Sequence, residues 1–173
     1  DGTIWIGTTG GLNRLNKSRD RFQSYLHSGD PSSISDNDIW SIDQDRRGDL
    51  WIGTHGGGLN RFDSKQKKFA RYVHDPNNPN SPSGNSIYDL VVDKKRDVLW
   101  IASYLSGLDK FHISKGKFTH YRYNPDDPDG IVSNWAVAVF VDSKGFVWIG
   151  TESGLSRFNP ETERFNNFKH DPF

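Results

Sequence analysis

The sequence predicts an all-β fold: a β-propeller fragment of about four blades, each built of four antiparallel strands. The prediction rests on a motif that recurs four times, on four short strand patterns in each complete copy, and on the composition. Tryptophan followed by isoleucine marks the copies at intervals of 46 to 49 residues, at Trp5, Trp51, Trp100 and Trp148. Repeats of this length with four strands are typical of propeller blades, whereas helical repeats show a 3.6-residue apolar rhythm.

The composition fits small strands and tight turns. Of 173 residues, 13% are aromatic and 17 are glycine, whereas disordered chains contain few aromatics. Basic and acidic residues are equal at 22 each, so net charge points to neither nucleic acid nor an anionic membrane as partner. No apolar run approaches the roughly 20 residues that a membrane-spanning helix needs. With no cysteine, disulfides and thiolate metal sites are excluded.

Copy two shows the four strands in order. Strand A (residues 39–42) follows an asparagine, and a tight turn containing glycine leads to strand B (50–54), which holds the tryptophan. A glycine-rich turn reverses the chain into strand C (59–62), and a polar turn leads to strand D (68–72). Glycine and asparagine supply the positive φ angles that such turns need, and proline closes the long D-to-A connections.

Strand B is apolar or small on both faces, which predicts that each blade is covered by a neighbour on either side. We therefore interpret the repeated tryptophans as packing residues and not as platforms for a ligand, because stacked repeats bury a continuous core. The glycine of strand B, as at Gly53 and Gly150, is predicted to make room for the tryptophan of the neighbouring blade.

The copies span approximately residues 1–27, 36–75, 84–124 and 133–173, in a single partial propeller domain of 173 residues. Copy one lacks strand A, the innermost strand, and the C-terminal end does not supply it. An open arc exposes an apolar face at each end and an unpaired strand edge at the first blade. We expect either a longer parent chain, with any targeting signal upstream, or closure by a homo-oligomer such as a dimer.

The repeated motifs are Leu-Trp-Ile-Gly-Thr, Gly-Gly-Leu-Asn-Arg-Phe, Phe-x-x-Tyr-x-His-Asp (residues 69–75), Asn-x-Ile and Asp-x-x-Gly. Together they resemble the two-component regulator propeller repeat over the whole chain. Copy three departs from it, with Ala102 in place of glycine and residues 95–97 in place of the glycine turn. The resemblance implies a periplasmic sensor domain of a bacterial hybrid histidine kinase, in a propeller that is commonly seven-bladed. It also implies a response to glycan fragments.

Positions that differ between copies are the candidates for ligand binding, because the fold does not dictate them. The B-to-C loops carry His55, Tyr104 and Glu152, and such loops lie around the channel mouth of propellers, where a rigid scaffold presents them. The innermost strands add the aromatic residues Trp40, Tyr88 and Trp135. Trp135 is offset by one residue and is predicted to face the opposite way. The alternative is that the loop residues are solvated and the aromatics pack.

No cofactor or metal ion is predicted. The acidic loop of residues 124–130 lacks the spaced ligand order of a calcium site, and its prolines and glycine favour a turn. His27, His74 and His170 share one repeated position, but copy three has Tyr123 there, which argues against a metal site.

The function predicted from these observations is ligand sensing or binding without catalysis, with a small molecule or an oligosaccharide as ligand. No nucleic-acid partner and no membrane insertion within this segment are expected. A propeller enzyme, either a lyase or a glycoside hydrolase, is the alternative. Glycoside cleavage needs two facing carboxylates, and Glu152 is the one acidic residue at the variable loop positions. A scaffold for protein partners is the third possibility.

Overall fold

The computed structural model describes residues 2–16 and 18–169, and this part of the chain forms fifteen β-strands in four antiparallel sheets. Sheet one consists of β1 (Ile4–Thr8), β2 (Gly11–Leu15) and β3 (Phe22–Tyr25). Sheet two consists of β4 (Ile39–Gln44), β5 (Leu50–Thr54), β6 (Leu59–Asp63) and β7 (Lys68–Tyr72). Sheet three consists of β8 (Ile87–Asp93), β9 (Val98–Ser103), β10 (Gly107–His112) and β11 (Lys117–Tyr121). Sheet four consists of β12 (Ala136–Val141), β13 (Val147–Thr151), β14 (Gly154–Asn159) and β15 (Arg164–Phe168).

Each sheet is a meander in which strand order follows chain order. The first strands of neighbouring sheets contact each other, β4 with β8 and β8 with β12, so they lie innermost. The predicted all-β fold is confirmed, including the three strands of sheet one. Residue 1, where the predicted first copy begins, and residues 170–173, where the predicted fourth copy ends, lie outside the described part. Within that part no helix is long and apolar enough to cross a membrane.

The core lies between successive sheets, in three separate apolar clusters. In each, the strand-B tryptophan of one sheet meets the edge of a strand-C phenylalanine of the next, as for Trp51 and Phe111, whose ring centroids are 5.4 Å apart. Trp100 and Phe158 repeat this contact at 5.3 Å. Trp51 and Trp100 are fully buried, which confirms their predicted role in packing.

The prediction that strand-B glycine makes room for a tryptophan is wrong, because no tryptophan lies beside Gly53 or Gly150. A Cβ built on Gly53 would meet Oγ of Ser41 in its own sheet and would lie 2.6 Å from Cγ2 of Ile87 in strand A of the next sheet. Copy three has Ala102 where the glycine should be, and Ala136 occupies the place equivalent to Ile87. Both alanines are fully buried in one cluster. Where the strand-B residue is the larger alanine instead of glycine, the facing strand-A residue of the next sheet is the smaller alanine instead of isoleucine.

The D-to-A connections close the outer edges of the sheets that follow them. The backbone N–H of Phe69 in β7 donates to the carbonyl of Ser32 at 2.9 Å, and that of Phe118 in β11 donates to Oδ1 of Asn80 at 2.9 Å. Phe165 in β15 repeats the contact with the carbonyl of Asp129. Each connection therefore supplies acceptors to an edge strand that would otherwise be open to another chain.

The recurring asparagines, predicted to form turns, also join neighbouring sheets. The side chain of Asn85 accepts a hydrogen bond from the backbone of His74 at 2.7 Å, and its carbonyl accepts one from Gly58 at 2.9 Å. Gly58 has a φ of 80°, and a Cβ there would collide with the carbonyl oxygen of Tyr72. Glycine is required at this junction for both reasons.

The two end sheets present apolar side chains to solvent. Ile4, Ile6 and Phe22 are exposed on sheet one, and Phe140 and Phe168 on sheet four. This is the arrangement that the sequence predicts for an open arc.

Candidate ligand-binding site

Five of the six predicted binding residues form one row of rings across three sheets. His55 lies against Trp40, with ring centroids 4.5 Å apart, and Trp40 lies 4.3 Å from Tyr88. Tyr88 meets Tyr104 edge-on at 5.6 Å, and Tyr104 meets Trp135 at 5.1 Å. We call this set the aromatic row. His55 and Tyr104 are exposed and the other three rings are half-buried, so solvent reaches the row.

Strand A places two members of the row through a β-bulge. Pairing of β4 with β5 skips one residue between Ile39 and Ser41, and pairing of β8 with β9 skips one between Ile87 and Asp89. The skipped residues are Trp40 and Tyr88. Bulges re-aim side chains and are frequent beside functional sites, which explains why residues of two separate sheets meet here.

Backbone hydrogen bonds hold the B-to-C loop residues beside the start of strand A, at the end of the sheets where Trp40 and Tyr88 lie. The N–H of His55 donates to the carbonyl of Asp38 at 3.0 Å, and the N–H of Tyr104 donates to that of Ser86 at 2.9 Å. Asp38 also fixes the first ring of the row, because its Oδ1 accepts from Nε1 of Trp40 at 3.1 Å. Its other oxygen lies 3.8 Å from Nδ1 of His55.

Trp135 joins the aromatic row in spite of its offset, which corrects the prediction that it faces away. It stands directly before β12, at the place of Asp38 and Ser86 in the other sheets, and its carbonyl accepts from the N–H of Glu152 at 3.3 Å. From there its ring reaches the edge of Tyr104, with the two planes 86° apart.

Glu152 lies beside the aromatic row, in a cleft of about 410 Å³ between the B-to-C loops of sheets three and four. We call it the third–fourth cleft. Its lining residues are Leu105, Tyr123, Val132, Ser133, Asn134, Trp135, Glu152, Ser153 and Lys169. Sequence reasoning did not select Leu105, Tyr123 or Lys169. The available signal was that copy three has tyrosine where two other described copies have histidine.

The carboxylates further along strand A hold sheets together. Oδ2 of Asp43 accepts from the backbone N–H of Val92 in the next sheet at 2.7 Å, and Oδ2 of Asp89 accepts from Val139 at 2.9 Å. Burial raises the pKa of Asp89, and repulsion from Asp43 adds to it. Because these oxygens satisfy buried backbone donors, they resemble structural acceptors more than a catalytic pair.

Ser83, His120 and Asp109 contain the residue types of a hydrolase triad but not its geometry. Oγ of Ser83 and Oδ1 of Asp109 both approach Nδ1 of His120, at 3.0 Å and 2.7 Å. Nε2 of His120 instead faces the carbonyl of Pro79 at 3.0 Å. A triad needs serine and aspartate on opposite ring nitrogens. The cluster therefore clamps the connection between sheets two and three, and we call it the histidine clamp.

The acidic loop consists of turns closed by its own side chains: Oδ1 of Asn124 accepts from the N–H of Asp126, and Oδ1 of Asp127 from that of Asp129, both at 3.1 Å.

Where the structure describes them, the repeated histidines bond within the connections between sheets. Nδ1 of His74, for example, bonds to the carbonyl of Pro82 in its own connection. Of the repeated histidines, His170 lies outside the described residues. In residues 2–16 and 18–169, no three His, Asp or Glu side chains are grouped so that they could hold a metal ion.

A comparison with known protein families matches two of the four copies of the repeat. The profile of the two component regulator propeller family matches residues 33–56 and 130–153, which confirms the resemblance inferred from the motifs. These segments carry strands A and B of copies two and four. No curated protein sequence matches the chain.

Among solved structures, the extracellular domain assigned to a hybrid two component system of B. thetaiotaomicron superposes with a TM-score of 0.78 at 26% identity. The match covers 96% of this chain and 22% of that one, so this chain spans about a fifth of its length. Virginiamycin B lyase of Staphylococcus aureus matches at 0.70 and 17% identity, over 100% of this chain and 53% of the lyase. A surface component of the type-IX secretion system of Porphyromonas gingivalis matches at 0.64 and 22%, over 88% and 23%. The last two likenesses concern the fold alone.

Proposed function

We propose that this chain is a ligand-binding segment of an extracytoplasmic sensor in a two-component signalling protein, a hybrid histidine kinase whose sensor faces the periplasm. The family profile and the extracellular domain from B. thetaiotaomicron support this setting. The observation that carries the binding role is the aromatic row, which runs without a break from sheet two to sheet four.

Glycan fragments are the proposed ligand class. Sugar rings present C–H faces that pack on aromatic rings and hydroxyls that bond to polar groups at their edges. The row offers several successive rings, which suits an oligomer, and Glu152 lines the same cleft as Trp135, the last ring of the row. None of these groups is a nucleophile beside a base, so binding without catalysis is the proposed activity.

A ligand on the row would touch three sheets at once. Those sheets are joined at their inner strands by the bonds of Asp43 and Asp89. A ligand that binds one arrangement of the sheets more tightly than another would shift the population toward that arrangement, and this is what a sensor needs.

The test compares Tyr88→Ala with Phe140→Ala. Both residues lie on innermost strands, but Tyr88 belongs to the aromatic row and Phe140 is exposed on the end sheet. Titration calorimetry with a panel of neutral oligosaccharides should detect binding to the wild type. An aromatic contact is worth about 1 kcal/mol, so Tyr88→Ala should weaken binding about fivefold and Phe140→Ala should not change it. Absence of binding to the whole panel, or equal binding by both variants, would overturn the proposal.

We further propose that the exposed end sheets are covered by additional blades, either of a longer chain or of a second copy in a homo-oligomer. Trp148 supports this, because its equivalents Trp51 and Trp100 pack on a phenylalanine of a following sheet. Light scattering after size-exclusion chromatography distinguishes the two alternatives for this chain. A stable dimer indicates closure by a second copy, and a monomer excludes it.

A further inference from the structure

Copy three departs from the repeat at positions that converge on the third–fourth cleft. In its B-to-C loop, Leu105 stands where copy two has Gly56, and after strand D it has Tyr123 where copy two has His74. The histidine ring bonds to its own connection, whereas Tyr123 is 47% exposed and lines the cleft. The copy that deviates most from the repeat thus supplies one wall of a cavity.

Exposed apolar side chains away from the end sheets lie in this cleft and beside it. Of the twelve large hydrophobic residues that are exposed in the described part of the chain, seven lie in strands of the first and last sheets. Leu26 and Val73 share one repeated position directly after strand D. The remaining three are Tyr104, which belongs to the aromatic row, and Leu105 and Tyr123, which line the third–fourth cleft. Neither an open end nor the repeat explains this group, and an exposed apolar patch inside a concavity is typical of a binding site.

Leu105 is unfavourable in the free protein in two ways. Its φ of 55° is a left-handed conformation, in a turn closed by a bond from Ser106 N–H to the Ser103 carbonyl at 3.3 Å. Leucine in this region costs about 1 kcal/mol relative to glycine. Its side chain is also 58% exposed. Left-handed residues occur in other turns of this protein, but Leu105 is the one that exposes a large apolar side chain beside a cleft, which makes it a candidate for contact with another molecule.

The polar groups of the cleft suit a neutral, hydroxylated ligand. Glu152 can accept hydrogen bonds and Lys169 can donate them, and neither side chain bonds to another described residue. Opposite them lie the apolar surfaces of Leu105, Tyr123 and Trp135. A ring with one apolar face and a hydroxyl-bearing edge satisfies both walls, whereas a charged group meets one like and one unlike charge.

We propose that the third–fourth cleft is a separate subsite that binds one ring of the ligand, with Leu105 covering the apolar face of that ring. This inference rests on the proposed function, since the cleft shares Trp135 with the aromatic row. It assigns to Leu105 a specificity-determining contact and explains why a strained leucine stands at this turn.

The experiment uses the intact chain with 13C-labelled leucine methyl groups, and the spectrum of Leu105→Gly assigns the Leu105 signals. Methyl pyranosides of glucose, galactose and xylose are the ring probes. Sorbitol carries similar hydroxyls without a fixed apolar face. We expect at least one pyranoside to shift the Leu105 methyl signals and sorbitol to leave them unmoved. The signals of Leu26, which is also exposed, should remain unmoved throughout.

Stability and binding should separate in the variants. Leu105→Gly relieves the strained φ, so its unfolding midpoint should stay equal or rise, while pyranoside affinity should fall severalfold. Arg19→Gly is the matched control, because Arg19 has a φ of 59° in a turn of sheet one away from the cleft. Arg19→Gly should likewise keep or raise the unfolding midpoint, but it should bind the pyranosides as tightly as the wild type does.

Each other outcome is decisive. Unmoved Leu105 methyls, together with pyranoside or oligosaccharide shifts in the indole signals of Trp40, overturn the subsite and leave the proposed function standing. Shifts in neither place overturn both. Equal shifts with sorbitol, or an unchanged affinity in Leu105→Gly, refute recognition of an apolar ring face.

Discussion

Replacing His120 with asparagine should remove a pH-dependent part of the protein's stability. In the histidine clamp, Nδ1 of His120 meets a carboxylate oxygen of the fully buried Asp109 at 2.7 Å, and Nε2 meets the carbonyl of Pro79 at 3.0 Å. Both partners accept hydrogen bonds. Both ring nitrogens therefore have to carry a proton, which only the imidazolium form provides. The hydrogen bond to Asp109, with a further one to Pro79, raises the pKa of His120 in opposition to its burial.

The sign follows from the raised pKa. Protonation favours the folded state, so the full contribution is present below the unfolded-state pKa of about 6.5 and is lost as pH rises through the higher folded-state value. Deprotonation breaks the bond to Pro79 and weakens the one to Asp109. A hydrogen bond to a charged group is worth about 1.5 to 3 kcal/mol, and the 27% exposure of the His120 side chain reduces this to about 1 to 2 kcal/mol.

The assay is the free energy of unfolding in urea, measured across the titration of histidine. Asparagine is the replacement because Asn167 occupies the equivalent place in sheet four and donates to the carbonyl of Gly130 at 2.9 Å without titrating. Arg122, Asp75 and His74 are the other ionisable side chains that line the cavity beside His120. His112→Asn is the control: burial lowers the pKa of His112, so its contribution has the opposite sign. A His120→Asn protein that loses stability with rising pH as the wild type does would refute the reasoning.

Two further predictions concern packing and turns. Gly53→Ala should cost about 1 to 3 kcal/mol, because its Cβ meets Ser41 and Ile87, and Ile87→Ala in the same chain should recover the part of that loss that Ile87 causes. Additive losses in urea unfolding would contradict this matched-size account. Asp45→Ala should cost about 2 kcal/mol, since Asp45 accepts from Nε1 of Trp51 at 3.2 Å and from two backbone donors. The indole signal of Trp51 in an NMR spectrum should move with it, and an unmoved signal would contradict the assigned bond.

Local sequence was sufficient for the sheets. Strand patterns, turn glycines and the Trp-Ile marker lie within one copy, so they predict the strands of each copy and the missing strand A of the first. Contacts between copies were harder to foresee. Gly53 was paired with the wrong neighbour because the facing residue, Ile87, is 34 positions away and belongs to another sheet's innermost strand.

The aromatic row was partly predictable. Variation between copies selected His55 and Tyr104, but their contact with Trp40 and Tyr88 depends on a bulge that no local pattern announced. Leu105 was not selected because a positive φ at leucine cannot be read from residue type. The role of these residues in binding stays a prediction.

The way each connection closes the sheet that follows it also indicates how blades should be cut and recombined. Ser32 and Ser33 precede strand A of sheet two, yet they bond to Phe69 and Arg71 of its last strand. A unit cut at residue 36 would separate these partners. A unit of residues 28–75 retains both, so a blade duplicated or transplanted in that frame carries its own protection against edge-to-edge aggregation.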